Sequence, residues 1–337
     1  MRILVAGDFR YSLHQEAWCR ALREIGHEVG EFRIWPYIKT VVDKAQQRFV
    51  FGPLLNRINR DLVTRAQEFR PEVIVCYRAV HVYPETVDEL RARTGATLVC
   101  YTNDFVFGAL GGKAYFRLFK KAIPCYNLHL VYGEHYLEPY REAGAKKAVV
   151  LRSHYLPWLH RRLDPSEFDG RQCDIGFFGH SESDRRLELM DALMRSVKAQ
   201  YSLRGANWDK YGRGRAWEGM DRPFVPDEEY VKCLNGAKIA LAFFSAANGD
   251  TYTRRCFEIP ACGTFMLSCR TPTTLSLYTE GKEAVFFSSS DELVDKARFY
   301  LGHDAARRTI AEAGHRRCTT SGYDVHSRMR EWLKLIQ

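Results

Sequence analysis

The sequence predicts an α/β protein made of two parallel sheets, each covered by helices on both faces. Three observations predict it. The 337 residues exceed one typical core and suit two domains of roughly 150 residues each. Short, continuous apolar runs alternate with segments of helical period, which is how strands buried on both faces read. That alternation breaks off at a polar stretch, residues 159–172, and then starts again.

Taken in order, Ile3-Leu-Val-Ala6 is a first buried strand, followed by Gly7-Asp8. His14 to Gly26 is a helix with Ala17, Ala21, Leu22 and Ile25 on one face and Gly26 as its stop. Val29 to Trp35 is the next strand, so the first 35 residues make a βαβ unit. A helix over 57–69 leads past Pro71 into the strand Val73–Tyr77. A helix near 84–94 leads through Gly95 into the strand Thr97–Tyr101. Leu128–Tyr132, a helix over 134–143 and Ala148–Leu151 complete the first domain, residues 1–158.

Residues 159–172 hold Pro165 and Gly170 among polar side chains and read as a linker. The second domain, residues 173–320, opens with the strand Asp174–Phe178, Gly179 and a helix over 184–199. Strands Lys238–Phe244 and Ala284–Phe287 follow, with helices near 227–234, 292–301 and 305–319. Residues 321–337 end in one more amphipathic helix, His326 to Ile336.

Composition narrows the class. Hydrophobic content of 46% and charged content of 27% are ordinary for a globular protein. No run approaches the roughly 18 apolar residues of a membrane span, and the opening Met1-Arg-Ile-Leu-Val-Ala-Gly-Asp8 is too short in apolar residues for a signal peptide. The expected location is the cytoplasm. Ten cysteines form no CxxC pair, and Cys76, Cys100, Cys125 and Cys262 sit among apolar residues, as reduced thiols do. The eleven histidines show no metal-binding spacing, so no metal site and no cofactor are expected. The net charge of +9 comes from dispersed basic residues and local arginine pairs rather than the long basic stripe of a nucleic-acid protein. Gly7-Asp-Phe-Arg10 lacks the glycine pattern of a dinucleotide site.

The segment that carries most chemistry is Asp250-Thr-Tyr-Thr-Arg-Arg-Cys-Phe-Glu258-Ile-Pro-Ala-Cys-Gly263. Two carboxylates lie eight positions apart across a Thr/Tyr turn that enters an apolar helix. A helix start presents unpaired N–H groups and a partial positive charge, so such a turn holds a diphosphate, and a carboxylate further on reaches a sugar hydroxyl. The same residues also fit an ordinary surface turn and amphipathic helix.

That segment, together with Tyr278-Thr-Glu-Gly-Lys-Glu283-Ala-Val-Phe-Phe287 and Asp291-Glu-Leu293, resembles the C-terminal domain of the CgeB-like glycosyltransferases, relatives of glycosyltransferase family 4. Tyr101-Thr-Asn-Asp104, Leu130-Val-Tyr-Gly-Glu134 and Asp174-Ile-Gly-Phe-Phe-Gly179 followed by Asp184-Arg-Arg186 are similar too. The resemblance implies a GT-B fold: two Rossmann-like domains with parallel sheets facing a central cleft, the nucleotide-sugar donor held by the second, and a C-terminal helix returning to the first.

It also implies roles. Glu258 matches the second of two family glutamates and would bind the ribose hydroxyls; Asp250 stands where the family has the first, one methylene shorter. Backbone N–H groups of Thr251, Tyr252 and Thr253 would meet the diphosphate, and Arg254 and Arg185 would neutralise the departing nucleotide, with one member of each arginine pair facing solvent. Gly179 and His180 form the turn beside it. Phe224 and Val225 would pack on the base, while Trp208 fits a core aromatic as well. In the first domain Asp8, His14, Arg78, His81 and Asp104 stand at or after strand ends; Asp104, then His14, are expected to contact the reacting sugar or the acceptor.

The expected activity is a metal-independent, retaining hexosyltransferase acting from a nucleoside-diphosphate sugar on a glycan, lipid-linked sugar or protein of the cell envelope. A nucleotide-sugar epimerase or phosphorylase of the same architecture, and a degenerate sugar-binding scaffold, are the alternatives. Phe116, Arg117, Phe119, Lys120 and Lys121 are expected to meet a membrane surface as exposed aromatic and basic residues.

Overall fold

A computed structural model of the chain describes residues 1–108, 114–168, 173–220 and 223–336. It divides into two compact units, Met1–Arg152 with Val325–Gln337, and Ser153–Asp324.

The first unit runs β1 (Arg2–Gly7), α1 (Ala17–Glu24), β2 (Glu28–Arg33), α2 (Val41–Phe49), α3 (Pro53–Phe69), β3 (Val73–Tyr77), α4 (Pro84–Thr94), β4 (Thr97–Thr102), α5 (Arg117–Ala122), β5 (Leu128–Val131), α6 (Leu137–Glu142) and β6 (Ala148–Val150). The sheet order is β2-β1-β3-β4-β5-β6, and every pairing is parallel. Ile3, Leu4 and Val5 of β1 and Ile74, Val75 and Cys76 of β3 are fully buried, as strands covered on both faces must be. At the edge, β2 alternates instead: Gly30 and Phe32 turn inward, Glu28 and Arg33 outward.

The second unit runs β7 (Cys173–Phe178), α7 (Arg186–Ser196), β8 (Tyr201–Arg204), α8 (Asp227–Asn235), β9 (Ala237–Ala242), α9 (Arg255–Ala261), β10 (Phe265–Cys269), α10 (Pro272–Leu277), β11 (Val285–Phe287), α11 (Ser290–Gly302) and α12 (Asp304–Thr320). Its sheet order is β11-β10-β9-β7-β8, again parallel throughout. Ile175, Phe177, Trp208, Trp217, Phe243 and Phe287 anchor its core. The last helix, α13 (Val325–Leu333), belongs to the first unit, where buried Trp332 stacks on Trp18 of α1 with ring centroids 6.4 Å apart.

Each sheet has one place where the chain reverses direction across it: between β1 and β3 in the first unit, and between β7 and β9 in the second. Loops leaving the carboxyl ends of such strands splay apart and open a crevice where ligands bind.

Two expectations need correction. Residues 159–168 of the polar stretch predicted as a linker belong to the second unit, where His160 is buried and its Nδ1 accepts a hydrogen bond from the Leu156 N–H at 2.9 Å. Residues 169–172 lie outside the described residues. Phe116 and Phe119 are buried, not exposed: α5 packs its apolar side chains inward, and neither ring is available to a membrane. All ten cysteines are free thiols. Among the described residues, no helix is long and apolar enough to cross a membrane, and no group of three or more His, Cys, Asp or Glu side chains is placed to hold a metal ion.

Candidate nucleotide and acceptor sites

In the second unit the loop after β7 is built on two glycines. A Cβ on Gly179 would come within 2.0 Å of Nη2 of Arg255, and a Cβ on Gly205 (φ +141°) within 2.2 Å of the Gly179 carbonyl oxygen. Only glycine lets these groups approach so closely. Arg255 lies across this turn, with Nε donating to the Phe178 carbonyl at 2.9 Å and Nη1 to Thr253 Oγ1 at 3.1 Å. His180 accepts the Ala206 N–H on Nδ1 at 2.9 Å and stacks on Phe224, with centroids 5.7 Å apart and planes inclined by 23°. Phe224 is 60% exposed and Val225 half-buried, so the outer face of the stacked pair is open. Burial, reinforced by Arg255, lowers the His180 pKa, so its ring is neutral at neutral pH.

The two arginines that follow diverge. Arg186 is buried in a two-pronged pair with Asp184 (2.8 and 2.9 Å) and donates to the His180 carbonyl, so it shapes the loop. Arg185 is exposed and donates to the Ser288 carbonyl at 2.9 Å. It helps line a cavity of about 410 Å³ at the carboxyl ends of β9, β10 and β11, together with Ser245, Asp250, Cys269, Arg270 and Ser288.

Asp250 stands in that cavity, hydrogen-bonded by Asn248 Nδ2 at 2.6 Å. Burial, with the Glu182 charge adding to it, pushes its carboxyl up to about 7. It therefore carries a proton part of the time at neutral pH and can donate as well as accept. Thr251 pairs its hydroxyl with Thr273 at 2.9 Å, and Tyr252 is a core side chain whose hydroxyl accepts the Ser153 N–H at 3.0 Å. Thr251, Tyr252 and Thr253 lead into α9, whose N-cap residue Arg254 supplies no side-chain cap to the first N–H groups.

Glu258 occupies different surroundings from Asp250. It is 5% exposed, and both carboxylate oxygens are engaged: Arg254 Nε donates to Oε1 at 3.0 Å and the Tyr230 hydroxyl to Oε2 at 2.7 Å. His160 Nε2 stands 3.7 Å from Oε1. Burial works against ionisation, but Arg254, His160 and Tyr230 together hold the carboxyl below its usual range. Burial in turn lowers His160 to about 4. The sequence favoured Arg254 over its neighbour, with the other in solvent; the structure turns Arg254 onto Glu258 and Arg255 onto the Gly179 turn, and leaves neither exposed. Adjacent positions at a helix start point about 100° apart, and here the two guanidinium groups turn to different partners.

In the first unit, Arg78 and Asp104 leave β3 and β4 and meet, Nε to Oδ2, at 2.6 Å. Arg78 holds a left-handed backbone (φ +55°), rare for a side chain of this size and a mark of a position fixed by its surroundings. His14 interrupts an irregular turn over Ser12–Glu16 (φ −111°, ψ −105°), and its Nδ1 lies 3.2 Å from the Tyr77 hydroxyl. Asp8 caps the loop after β1, accepting the Arg10 N–H at 3.2 Å. His81 is buried, and burial lowers it to about 4. A larger groove of about 530 Å³ lies between β2 and α3, but none of the predicted site residues lines it.

Arg255, Tyr230 and His160 are the site-forming residues that sequence reasoning passed over. Only the doubled arginine signalled one of them.

The fold defines the class: GT-B, an architecture of two Rossmann-like units. Residues 185–334 match the profile of a family described as Glycosyl transferase-like, a stretch that includes Asp250, Arg255 and Glu258. No curated protein matches the sequence significantly. Among solved structures, Anabaena Alr3699/HepE in complex with UDP-glucose superposes with a TM-score of 0.70 at 14% identity, covering 100% of this chain and 99% of that one. Sucrose-phosphate synthase from Thermosynechococcus elongatus gives 0.70 at 13%, covering 100% and 98%. A putative UDP-N-acetylglucosamine 2-epimerase from Listeria monocytogenes gives 0.60 at 11%, covering 99% and 95%. Identities this low establish the fold and leave the reaction open.

Proposed function

We propose that the protein is a retaining, metal-independent glycosyltransferase of the CgeB-like kind, moving a hexose from a nucleoside-diphosphate sugar to an acceptor hydroxyl in the cytoplasm. The observation that carries this reading is Arg255 lying across the Gly179 turn at the β7/β9 crevice, beside the open His180–Phe224 stack. A fixed guanidinium next to an aromatic platform suits a diphosphate joined to a base. The UDP-glucose in the Anabaena relative agrees with that chemistry.

In this reading Arg255 and Arg185 hold the diphosphate, with backbone N–H groups of 251–253 assisting. Phe224, Val225 and His180 take the base. Asp250 binds a donor-sugar hydroxyl from its cavity. Glu258 orients Arg254 and reaches the ribose only when Tyr230 yields its place. Asp104, His14 and Arg78 serve the acceptor, a glycan, lipid-linked sugar or protein. The bond from the anomeric carbon to the diphosphate oxygen breaks, the acceptor oxygen bonds to the same face, and the acceptor proton leaves with the diphosphate. Charge on that leaving group is what the arginines stabilise.

Epimerisation is the second reading, since a putative epimerase shares the fold. Incubating the protein with UDP-, GDP-, ADP- and dTDP-sugars, each with and without an acceptor mixture containing no added metal, separates the two. Release of nucleoside diphosphate that depends on acceptor supports transfer. An epimerised sugar formed without acceptor contradicts it.

A further inference from the structure

The helix α2 is inside out. Its inward-facing residue is polar: Gln46 is buried, and its Oε1 accepts the Leu54 N–H at 2.8 Å. Its outward face is apolar: Val41 (82% exposed), Ala45 and Phe49 (54%) follow one another at i, i+4 and i+8, with Val42 (65%) beside them. The helix is held by a capping box between Thr40 and Asp43, and by Gln46, rather than by burying apolar surface. Exposed Lys39, Lys44 and Arg48 border the apolar stripe, while Asp43, the one acid of the helix, is engaged at the cap.

The first 51 residues carry further exposed apolar side chains. Phe51 follows α2 at 54% exposure, and Tyr11 and Trp35 leave the parallel neighbours β1 and β2 at the same end of the sheet. Arg10 sits over both of those rings, 4.0 Å from the centroid of Trp35. A short apolar stripe with lysine and arginine along its border is the composition of a segment that lies in a lipid interface.

We propose that α2, with the turns beside it, docks the protein on an anionic lipid surface. Phosphate-bearing headgroups complement Lys39, Lys44 and Arg48, and the acyl boundary takes Val41, Val42 and Phe49. A second copy of the chain fits less well, because a two-fold contact through this stripe sets the same lysines and arginine against one another. The surface lies in the first unit, whose strand ends carry Asp104 and His14. The inference does not depend on which reaction the protein performs.

The test is co-sedimentation of the full chain with vesicles of phosphatidylcholine alone or mixed with phosphatidylglycerol. The protein is expected to sediment with the mixed vesicles only, and less so as salt rises. Val42→Asp with Phe49→Asp, and separately Lys44→Glu with Arg48→Glu, are each expected to weaken partitioning by at least about tenfold, with thermal melting unchanged because all four side chains are exposed. Equal sedimentation of wild type and variants, or none with mixed vesicles, overturns the proposal. So does elution as a dimer that the Val42/Phe49 variant turns to monomer without any vesicle binding, which would assign the stripe to a second copy.

Discussion

The guanidinium of Arg255 and the backbone of Gly179 occupy one another's space: a single methyl group at 179 would stand 2.0 Å from Nη2. Gly179→Ala must therefore displace Arg255 and lose its bond to the Phe178 carbonyl. Both Gly179→Ala and Arg255→Ala are predicted to weaken nucleoside-diphosphate binding by about 10- to 100-fold, the worth of a charge-assisted hydrogen bond. Because they remove the same interaction, the double variant should cost little more than either alone. Calorimetric titration of all three variants checks this.

Asp250 makes stability fall with rising pH. Its carboxyl titrates near 7 in the folded chain against an ordinary 3.8, so the fold favours the protonated form. That contribution is complete below about 4, and is lost as pH rises through 7. Asp250→Asn lacks the penalty. Its stability relative to wild type should improve by about 2–3 kcal/mol between pH 5 and pH 8 in urea denaturation. A gap that stays constant would show the carboxyl to be solvated.

Glu258 is predicted to matter for folding before it matters for ligand. Glu258→Ala removes the buried carboxylate to which Arg254 and Tyr230 both donate, at a cost of about 3–5 kcal/mol. Its depressed pKa gives the opposite pH sense from Asp250: the stabilisation is present above the ordinary value of 4.5 and is lost as pH falls below it. Tyr230→Phe should cost only about 1 kcal/mol. Chemical denaturation reads both. Intact stability with lost nucleotide affinity would instead make Glu258 a ligand residue.

Asp104→Ala and Arg78→Ala break the 2.6 Å pair in the first unit and should leave unchanged the nucleoside-diphosphate affinity that we propose for the second unit. Turnover with a competent acceptor should fall by at least about 100-fold if the pair positions the acceptor hydroxyl. Steady-state kinetics with kcat and KM resolved, beside calorimetry, checks both halves.

The strands were legible because parallel sheets covered on both faces write themselves as continuous apolar runs: Ile3–Ala6 and Val73–Tyr77 fall on strands, and Lys238–Phe244 covers all of β9 but its first residue and overruns its end by two. β8 was missed because Ser202 and Arg204 interrupt its apolar character at a sheet edge. α2 was missed because its apolar residues face outward, so the amphipathic pattern has no core to point at. Phe116 and Phe119 misled for the opposite reason: basic neighbours suggested a surface, while the short α5 turned both rings inward. At the candidate site the spacing of Asp250 and Glu258 was visible, but not their separate surroundings. These depend on Tyr230 and His160, contributed by α8 and by a segment that reads as a linker. Sequence marked the doubled arginine; only the helix start decides which member faces the glycine turn.

The roles proposed for Arg255, His180 and Phe224 all require a diphosphate site at the β7/β9 crevice. Thermal melting with UDP, GDP, ADP, CMP and dTDP, on wild type and on Arg255→Ala, tests it most directly. At about 100 times its dissociation constant one of the nucleoside diphosphates should stabilise the wild type by about 2.7 kcal/mol, and the variant measurably less. No stabilisation by any of the five, or equal stabilisation of wild type and variant, would show that Arg255 does not hold a diphosphate.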